Sequence, residues 1–398
     1  MDYVIIGNSI AAAGCIEGIR RADQNGKITV VGAEPYHVYG RPLISYLLEG
    51  KTDLERIKYR PADFYEKNCC TLVKGERALK IDAQKKRVTL SGGAVLPYDR
   101  LAIATGSRPF VPRIPNLEKY EYHTFMTLDD ALKLQEKIKT VPNARVLIFG
   151  AGLIGLKCAE AIHKSVGEIT VADMADRVLP SILDHDGAEI IKKHLEGYGL
   201  KFLLSTAANP DSFDFDILCV CTGVVPETEL AKECGAEVGR GIFVDGKSKT
   251  TVKDIYAAGD CTESYSEVTG KRAAIPILPN AYIQGETAGI NMAGGIASFD
   301  SALPMNAIGF FGKHILTAGV YEGEAVRAKS SEYRKIFVKD GKLKGFIFID
   351  DFKRAGIYTA LIRDGGDISG VDIDGLAENA GLNLFPKNFR DEVLRAKN

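Results

Sequence analysis

One pattern limits the fold more than any other, because it occurs twice. Residues 145–149 (RVLIF) read as a buried strand, 150–155 (GAGLIG) as a glycine-rich turn, 156–165 as a helix and 169–172 (ITVA) as the next strand. Gly150, Gly152 and Gly155 stand at GxGxxG spacing, and Asp173 directly follows the second strand. The first glycine makes the tight turn, the second lets backbone approach a pyrophosphate, and the third lets helix pack on strand. The helix N-terminus then offers free N–H groups and a positive dipole end to the phosphates. An acid at the end of the second strand accepts a ribose 2′-hydroxyl and repels a 2′-phosphate, so Asp173 favours NAD over NADP. Arg177, close behind it in the chain, keeps the alternative open.

The first copy starts at the N-terminus, with Gly7 in the place of Gly150. Residues 3–6 read as a strand, 10–22 as a helix and 28–31 as a second strand. Here the turn is relaxed to Gly7, Ser9 and Ala12, all small residues. Glu34 is the candidate ribose acid, slightly late because Gly32-Ala33 intervene after the strand. Two such units in one chain point to a bound flavin at one and a nicotinamide nucleotide at the other. The chain is an α/β protein built on a duplicated dinucleotide-binding unit, not a solenoid array.

Composition removes several other classes. With 51 Lys+Arg against 52 Asp+Glu the net charge is −1, which argues against a nucleic-acid partner. No run approaches the ~18 apolar residues of a membrane span. Ala12-Ala13-Gly14-Cys15 imitates a lipoprotein cleavage site, but Asp2 stands where a positive leader would begin, so a cytoplasmic location is expected. Eight cysteines show neither CxxC nor zinc spacing, so no metal site is expected and any iron–sulfur acceptor must be a separate protein.

Beyond residue 303 the chain changes character. YRKIFVKDGKLKGFIFID reads as a hairpin around Asp340-Gly341, and AGIYTALIRDG as a helix ended by Gly365. Another hairpin is expected around Ser91-Gly92-Gly93.

Further motifs carry a resemblance: GNSIAA at 7–12, YGRPLISYLLEGK at 39–51, ATGSRP at 104–109, CTGVVPET at 221–228, IYAAGDC at 255–261 and PNAYIQGETAGINMAGG at 279–295. In this order they resemble the FAD- and NAD(P)-dependent pyridine nucleotide–disulfide oxidoreductase superfamily, in the branch with NADH:rubredoxin oxidoreductase and the flavin module of nitrite reductase. The resemblance implies two glutathione reductase-like Rossmann domains and a small α+β C-terminal domain. FAD would occupy 1–112 with 240–303, NAD(H) 113–239, and residues 304–398 would form an interface domain. It implies FAD contacts at Gly7, Ser9, Ala12, Glu34, Arg41, Pro42, Ala78, Thr105, Gly106, Gly259, Asp260, Asn280 and Ala281, and NAD contacts at Gly150, Gly152, Leu153, Ile154, Gly155, Asp173, Thr222 and Gly223. Thr105-Gly106 and Thr222-Gly223 would mark the crossovers between the nucleotide domains. The helix near Asn280-Ala281 would aim its N-terminus at the flavin.

The expected activity is electron transfer from NADH through FAD to a small iron–sulfur carrier, rubredoxin or ferredoxin, by a homodimer. An NADH oxidase reducing O₂, and an NAD(H)-binding flavoprotein subunit or sensor with little turnover, are the alternatives. Three departures from the family qualify this. The 39–45 segment has no cysteine, and Pro42 stands about where single-cysteine relatives carry a thiol, so sulfur-based reduction is not expected. Lys157 replaces a usual glutamate, placing it with Arg41 and Pro42 at the reacting end. It either stabilises reduced flavin as a cation or pairs with a nearby acid. The 203–216 stretch is short for the family's hairpin. His37 is read as structural.

Overall fold

Residues 3–6 are apolar on both faces, which suits a strand covered from both sides. In the computed structural model, which describes residues 1–266, 268–387 and 390, Asp2–Ile6 is the middle strand of a five-stranded sheet. Its spatial order is Ile255–Ala257, Arg100–Ile103, Asp2–Ile6, Lys27–Gly32 and Cys70–Lys74, with every pairing parallel. The second copy builds the same object: Lys201–Leu203, Glu168–Ala172, Arg145–Phe149, Ile217–Val220 and Tyr122–His123, again all parallel. The duplication read from the sequence is thus a duplicated sheet.

The α-helices of the described residues are, in chain order, α1 (Ile10–Ala22), α2 (Leu43–Leu48), α3 (Phe64–Lys67), α4 (Leu128–Thr140), α5 (Leu153–Ile162), α6 (His185–Glu196), α7 (Glu229–Glu233), α8 (Leu278–Met292), α9 (Ala355–Asp364) and α10 (Ile373–Glu378). Two starts differ from expectation. α5 begins at Leu153, inside the glycine motif, because Gly152 is its N-cap and the helix opens directly out of the glycine turn. α8 begins at Leu278, because Pro279, lacking an N–H, fits a first turn where that donor has no helical partner.

α1 and α8 pack almost backbone to backbone. A β-carbon at Gly14 or Gly18 would collide with the carbonyl oxygens of Tyr282 and Glu286, and one at Gly285 or Gly289 with those of Ala11 and Cys15. Each helix therefore presents a Gly-x-x-x-Gly face. Ala12, Ala13 and Ile16 beside them are buried.

The chain divides into two compact units. The first holds residues 1–174, 201–266 and 271–302, including both parallel sheets. The antiparallel pair of Ser107–Pro109 with Val224–Pro226 lies in this unit, where the two Thr-Gly crossovers were expected. So does the hairpin Arg87–Leu90/Val95–Pro97. Between Leu203 and Asp216 the chain makes only a single 3₁₀ turn, Pro210–Ser212.

The second unit is built on a five-stranded antiparallel sheet: Met305–Phe310, Lys313–Gly319, Lys342–Ile349, Tyr333–Lys339 and Glu324–Arg327. The Asp340-Gly341 hairpin and the helix stopped by left-handed Gly365 are both present. Residues 175–200, including α6, group with this unit, although they lie in the stretch expected to bind the nicotinamide nucleotide. Asp184, the N-cap of α6, accepts hydrogen bonds from Gly187 N–H, Tyr333 Oη and Lys335 Nζ. At the centre, Arg334 is 1 % exposed. Its guanidinium stacks on Phe348 at 4.0 Å, donates to Tyr358 Oη at 2.8 Å and to the Asp351 carbonyl at 3.0 Å, and is ion-paired with the Asp351 carboxylate.

Candidate functional site

Each sheet ends in a turn that only glycine can make. Gly7 has φ +114° and Gly150 φ +117°, a region closed to most side chains. A β-carbon at Gly7 would also strike the Ala104 carbonyl, and one at Gly150 the Cys221 carbonyl. These close approaches bring Thr105-Gly106 beside the first turn and Thr222-Gly223 beside the second.

The second turn is an open cradle. An added β-carbon at Gly152 meets nothing within 4 Å, whereas at Gly155 it would overlap the Gly150 carbonyl. Gly152 therefore faces vacant space and Gly155 a packed turn, the division of labour a pyrophosphate site requires. Leu153 and Ile154 form the first helical turn and are half-buried. Asp173 Oδ2 accepts a hydrogen bond from Ala151 N–H at 2.6 Å, which fixes the carboxylate against the cradle. Arg177, in the other unit, bonds to Asp176 at 2.9 Å and to the Leu183 carbonyl at 3.3 Å.

The first turn is built alike. Ser9 is the N-cap of α1, its side chain makes no capping bond, and Ala12 is fully buried. Asn8 ties this turn to its surroundings: its Nδ2 donates to the Tyr36 carbonyl at 3.1 Å and its Oδ1 accepts from Tyr65 Oη. Glu34 is held from two sides, by Arg41 at 2.8 Å and by Tyr39 Oη at 2.6 Å. Arg41 also donates to the Met126 carbonyl at 3.2 Å, so it is drawn back toward Glu34 instead of standing free. A carboxylate has about four acceptor sites, so Glu34 retains capacity for ribose hydroxyls.

Gly259, with φ +83°, is approached by Ala11 and Ala281, and its N–H donates to Gln284 Oε1 at 3.0 Å. The loop before Asp260 thereby meets the first turns of α1 and α8. Burial pushes the Asp260 carboxyl up, and the Arg41 charge works against that shift. Asn280 is buried in the first turn of α8 and donates to the Ile275 carbonyl at 3.4 Å. Thr105 Oγ1 donates to the Glu227 carbonyl, and Thr222 Oγ1 to the Phe110 carbonyl, stitching the two crossovers.

Ala78 packs against the buried cluster that includes Ile6, Val31 and Ile103 of the first sheet, and Pro42 directly follows Arg41. Ala78 opens the strand Ala78–Asp82 of a separate antiparallel sheet. Pro42 is exposed at the start of α2, where its carbonyl accepts from Ser45 Oγ. His37 has Nδ1 3.1 Å from the Val38 carbonyl, and its ring meets Tyr65 edge-on.

Lys157 takes the second of its two readings: it pairs with Glu160 at 2.6 Å. Glu160 was missed, although its place one helical turn further along could have flagged it. Tyr39 and Asn8 were missed because a tyrosine or asparagine beside a turn carries no spacing signal of its own.

The fold and these two cradles define a class, proteins with paired dinucleotide-binding units. Residues 1–285 match the family model described as pyridine nucleotide-disulphide oxidoreductase, and the chain belongs to that family. It is an NAD(P)H-dependent flavin oxidoreductase, a family for which FAD and NAD(P)H are implied. Over 393 residues it is 33% identical to the NADH-dependent phenylglyoxylate dehydrogenase subunit epsilon of Aromatoleum evansii, covering 92% of each chain. It is 30% identical over 372 residues to the assimilatory nitrate reductase electron transfer subunit of Bacillus subtilis, covering 87% of this chain but only 47% of that longer protein. The crystal structure of NADH:rubredoxin oxidoreductase from Clostridium acetobutylicum superposes with a TM-score of 0.80 at 26% identity, covering 92% of this chain and 96% of that one. Among the described residues no helix is long and apolar enough to cross a membrane, and no cluster of three or more His, Cys, Asp or Glu could hold a metal ion.

Proposed function

We propose that the chain takes electrons from NADH into bound FAD and passes them to an iron–sulfur partner protein. The observation that carries this is the pair of cradles, one open at Gly152 with Asp173 pinned beside it, the other rimmed by Glu34, Arg41 and Asp260. FAD, when bound, supplies the chemistry: it accepts a hydride and returns electrons one at a time.

The protein's part is binding and orientation. The free N–H groups at the start of α1 and α5 face a pyrophosphate each. Asp173 accepts the 2′-hydroxyl of NADH and repels the 2′-phosphate of NADPH, while Arg177 is occupied by Asp176 and Leu183. Glu34 would accept from the FAD ribose, and the N-terminus of α8 would supply a positive dipole end to the flavin, on which negative charge gathers on reduction. Sulfur takes no part in this reading. All eight cysteines are free, Cys15 is buried in α1, and the segment around Pro42 carries no thiol.

Two relatives named above are subunits by their printed names, and this favours a partner that docks stably as part of a larger enzyme over a freely diffusing rubredoxin or ferredoxin. The test is an anaerobic titration of the yellow protein, following flavin absorbance. Bleaching by about one equivalent of NADH, with NADPH far weaker, supports the reading. FAD that neither nucleotide reduces would overturn it. Rapid O₂ consumption without a partner would favour an oxidase instead.

A further inference from the structure

α2 and α5 meet along a strip where charges and an aromatic ring alternate. Lys157 Nζ lies 2.6 Å from Glu160 Oε2, and the two side chains are only 18% and 10% exposed. Lys157 Nζ also stands 5.6 Å from the centre of the Tyr46 ring, and Lys51 Nζ stands 5.6 Å from the same ring. Lys51 is paired with Glu49, and the field of Glu160 adds to that of Glu49 in holding the Lys51 ammonium above its usual range. Beside Tyr46, Lys157 is thus set against Glu160 and Lys51 against Glu49.

The place of this strip matters. α2 follows directly on Arg41-Pro42, and α5 opens at the Gly152 cradle. The strip lies between the segment that rims the first cradle and the helix that starts at the second. On the NADH reading above, nucleotides held by the two cradles would bring their reacting rings together near those segments.

We propose that Glu160 is a specificity-determining residue for the redox state of the nicotinamide. By neutralising Lys157 it lets the site hold the positively charged oxidised ring as readily as the neutral reduced one. This rests on the NADH reading above. An ammonium left without its carboxylate repels the oxidised ring and leaves the reduced ring almost untouched. Because the pair is mostly buried, salt screens it less than a surface pair.

The test uses the FAD-loaded, oxidised enzyme and two ligands that cannot donate hydride. They are NAD⁺ and 1,4,5,6-tetrahydro-NAD, whose ring is neutral. Dissociation constants come from perturbation of the flavin spectrum. In Glu160→Gln the ratio of the NAD⁺ constant to the tetrahydro-NAD constant rises about five- to tenfold at low ionic strength. In Lys157→Gln, which removes the cation opposite Glu160, the ratio falls. The double variant Lys157→Gln/Glu160→Gln returns to the native ratio, and Glu160→Asp keeps it. A merely structural role would weaken both ligands alike and leave every ratio unchanged, and that result overturns the proposal. Should one single variant fail to retain FAD, the other still moves the ratio in its own direction. If the native enzyme binds neither ligand, the NADH reading fails first and this inference with it. If it binds both and no variant shifts the ratio, only this inference fails.

Discussion

Replacing Gly152 by alanine separates folding from nucleotide binding more cleanly than any other change in the chain. Its φ of −84° and ψ of −172° are ordinary extended backbone, so alanine brings no strain. Its β-carbon would meet nothing within 4 Å. Glycine is preferred to alanine at an N-cap, so the fold loses about 1 kcal/mol. The nucleotide loses more, because the methyl group occupies the space a pyrophosphate needs. Moving the phosphates away from two helix N–H donors, at ~1.5 kcal/mol each for charged acceptors, costs about 3 kcal/mol. That is roughly a 150-fold weaker affinity for NADH. Stopped-flow reduction of the bound flavin, over a range of NADH concentrations without oxygen, reads the affinity directly. The FAD spectrum and thermal midpoint serve as controls and should stay near native. Gly155→Ala is the contrast. Its β-carbon overlaps the Gly150 carbonyl, so the turn must move and stability falls by about 1–3 kcal/mol or more. Undiminished NADH affinity in Gly152→Ala would refute the argument, because the open space would then not be where the phosphates sit.

Other expectations follow from particular bonds. Asp173→Ala removes the carboxylate pinned by Ala151 N–H, so the NADH:NADPH ratio of kcat/KM should fall at least tenfold, mainly through poorer NADH and tolerated NADPH. Asp260→Asn removes a carboxyl that burial holds above its usual range. A raised acid pKa destabilises the fold increasingly as pH rises above the unfolded-state value, and fully above the folded one, so the FAD-free variant should melt no lower than native at pH 8, while FAD binds roughly ten- to a hundredfold more weakly in equilibrium dialysis. Burial alone would raise the Asp184 carboxyl, but Lys335 and Tyr333 outweigh it and hold the group below its usual range. Its stabilising contribution is therefore present above the unfolded-state value and lost as pH falls through the folded one. Lys335→Met should flatten the acid limb of the melting profile. Arg334→Met takes the buried donor from the Ala377 and Asp351 carbonyls, and should cost about 1–3 kcal/mol in urea unfolding.

Those parts of the fold whose signal is local were readable from the chain. The turns at Gly7 and Gly150, the strands entering them, the Asp340-Gly341 hairpin and the Gly365 helix stop each follow from a few adjacent residues. Helix starts were less legible at Leu153 and Leu278, because the motif glycines and Pro279 resemble loop residues until the phosphate turn and the first-turn geometry are known. The site was legible where one residue type does one job, as at Asp173. It was not where a side chain is claimed by distant neighbours. Arg41 is drawn to Glu34 and the Met126 carbonyl. Tyr39 bonds to both Glu34 and Leu128 N–H. Sequence spacing alone does not select these pairings, and most depend on elements that meet only in three dimensions.

The glycine-to-glycine seam between α1 and α8 sets an order of assembly. α1 is made well before α8, and its partner face is complete only once Tyr282 and Glu286, whose carbonyls line the seam, have been added. During synthesis the first cradle emerges before the second but stays unbacked until α8 has left the ribosome. The strand Ile255–Ala257, at the edge of the same sheet, arrives almost as late. The second parallel sheet has all its strands once Ile217–Val220 is made, well before that seam can close. On the FAD reading, loading would therefore wait for α8, and truncations that end before α8 should yield colourless protein even when the second sheet is intact.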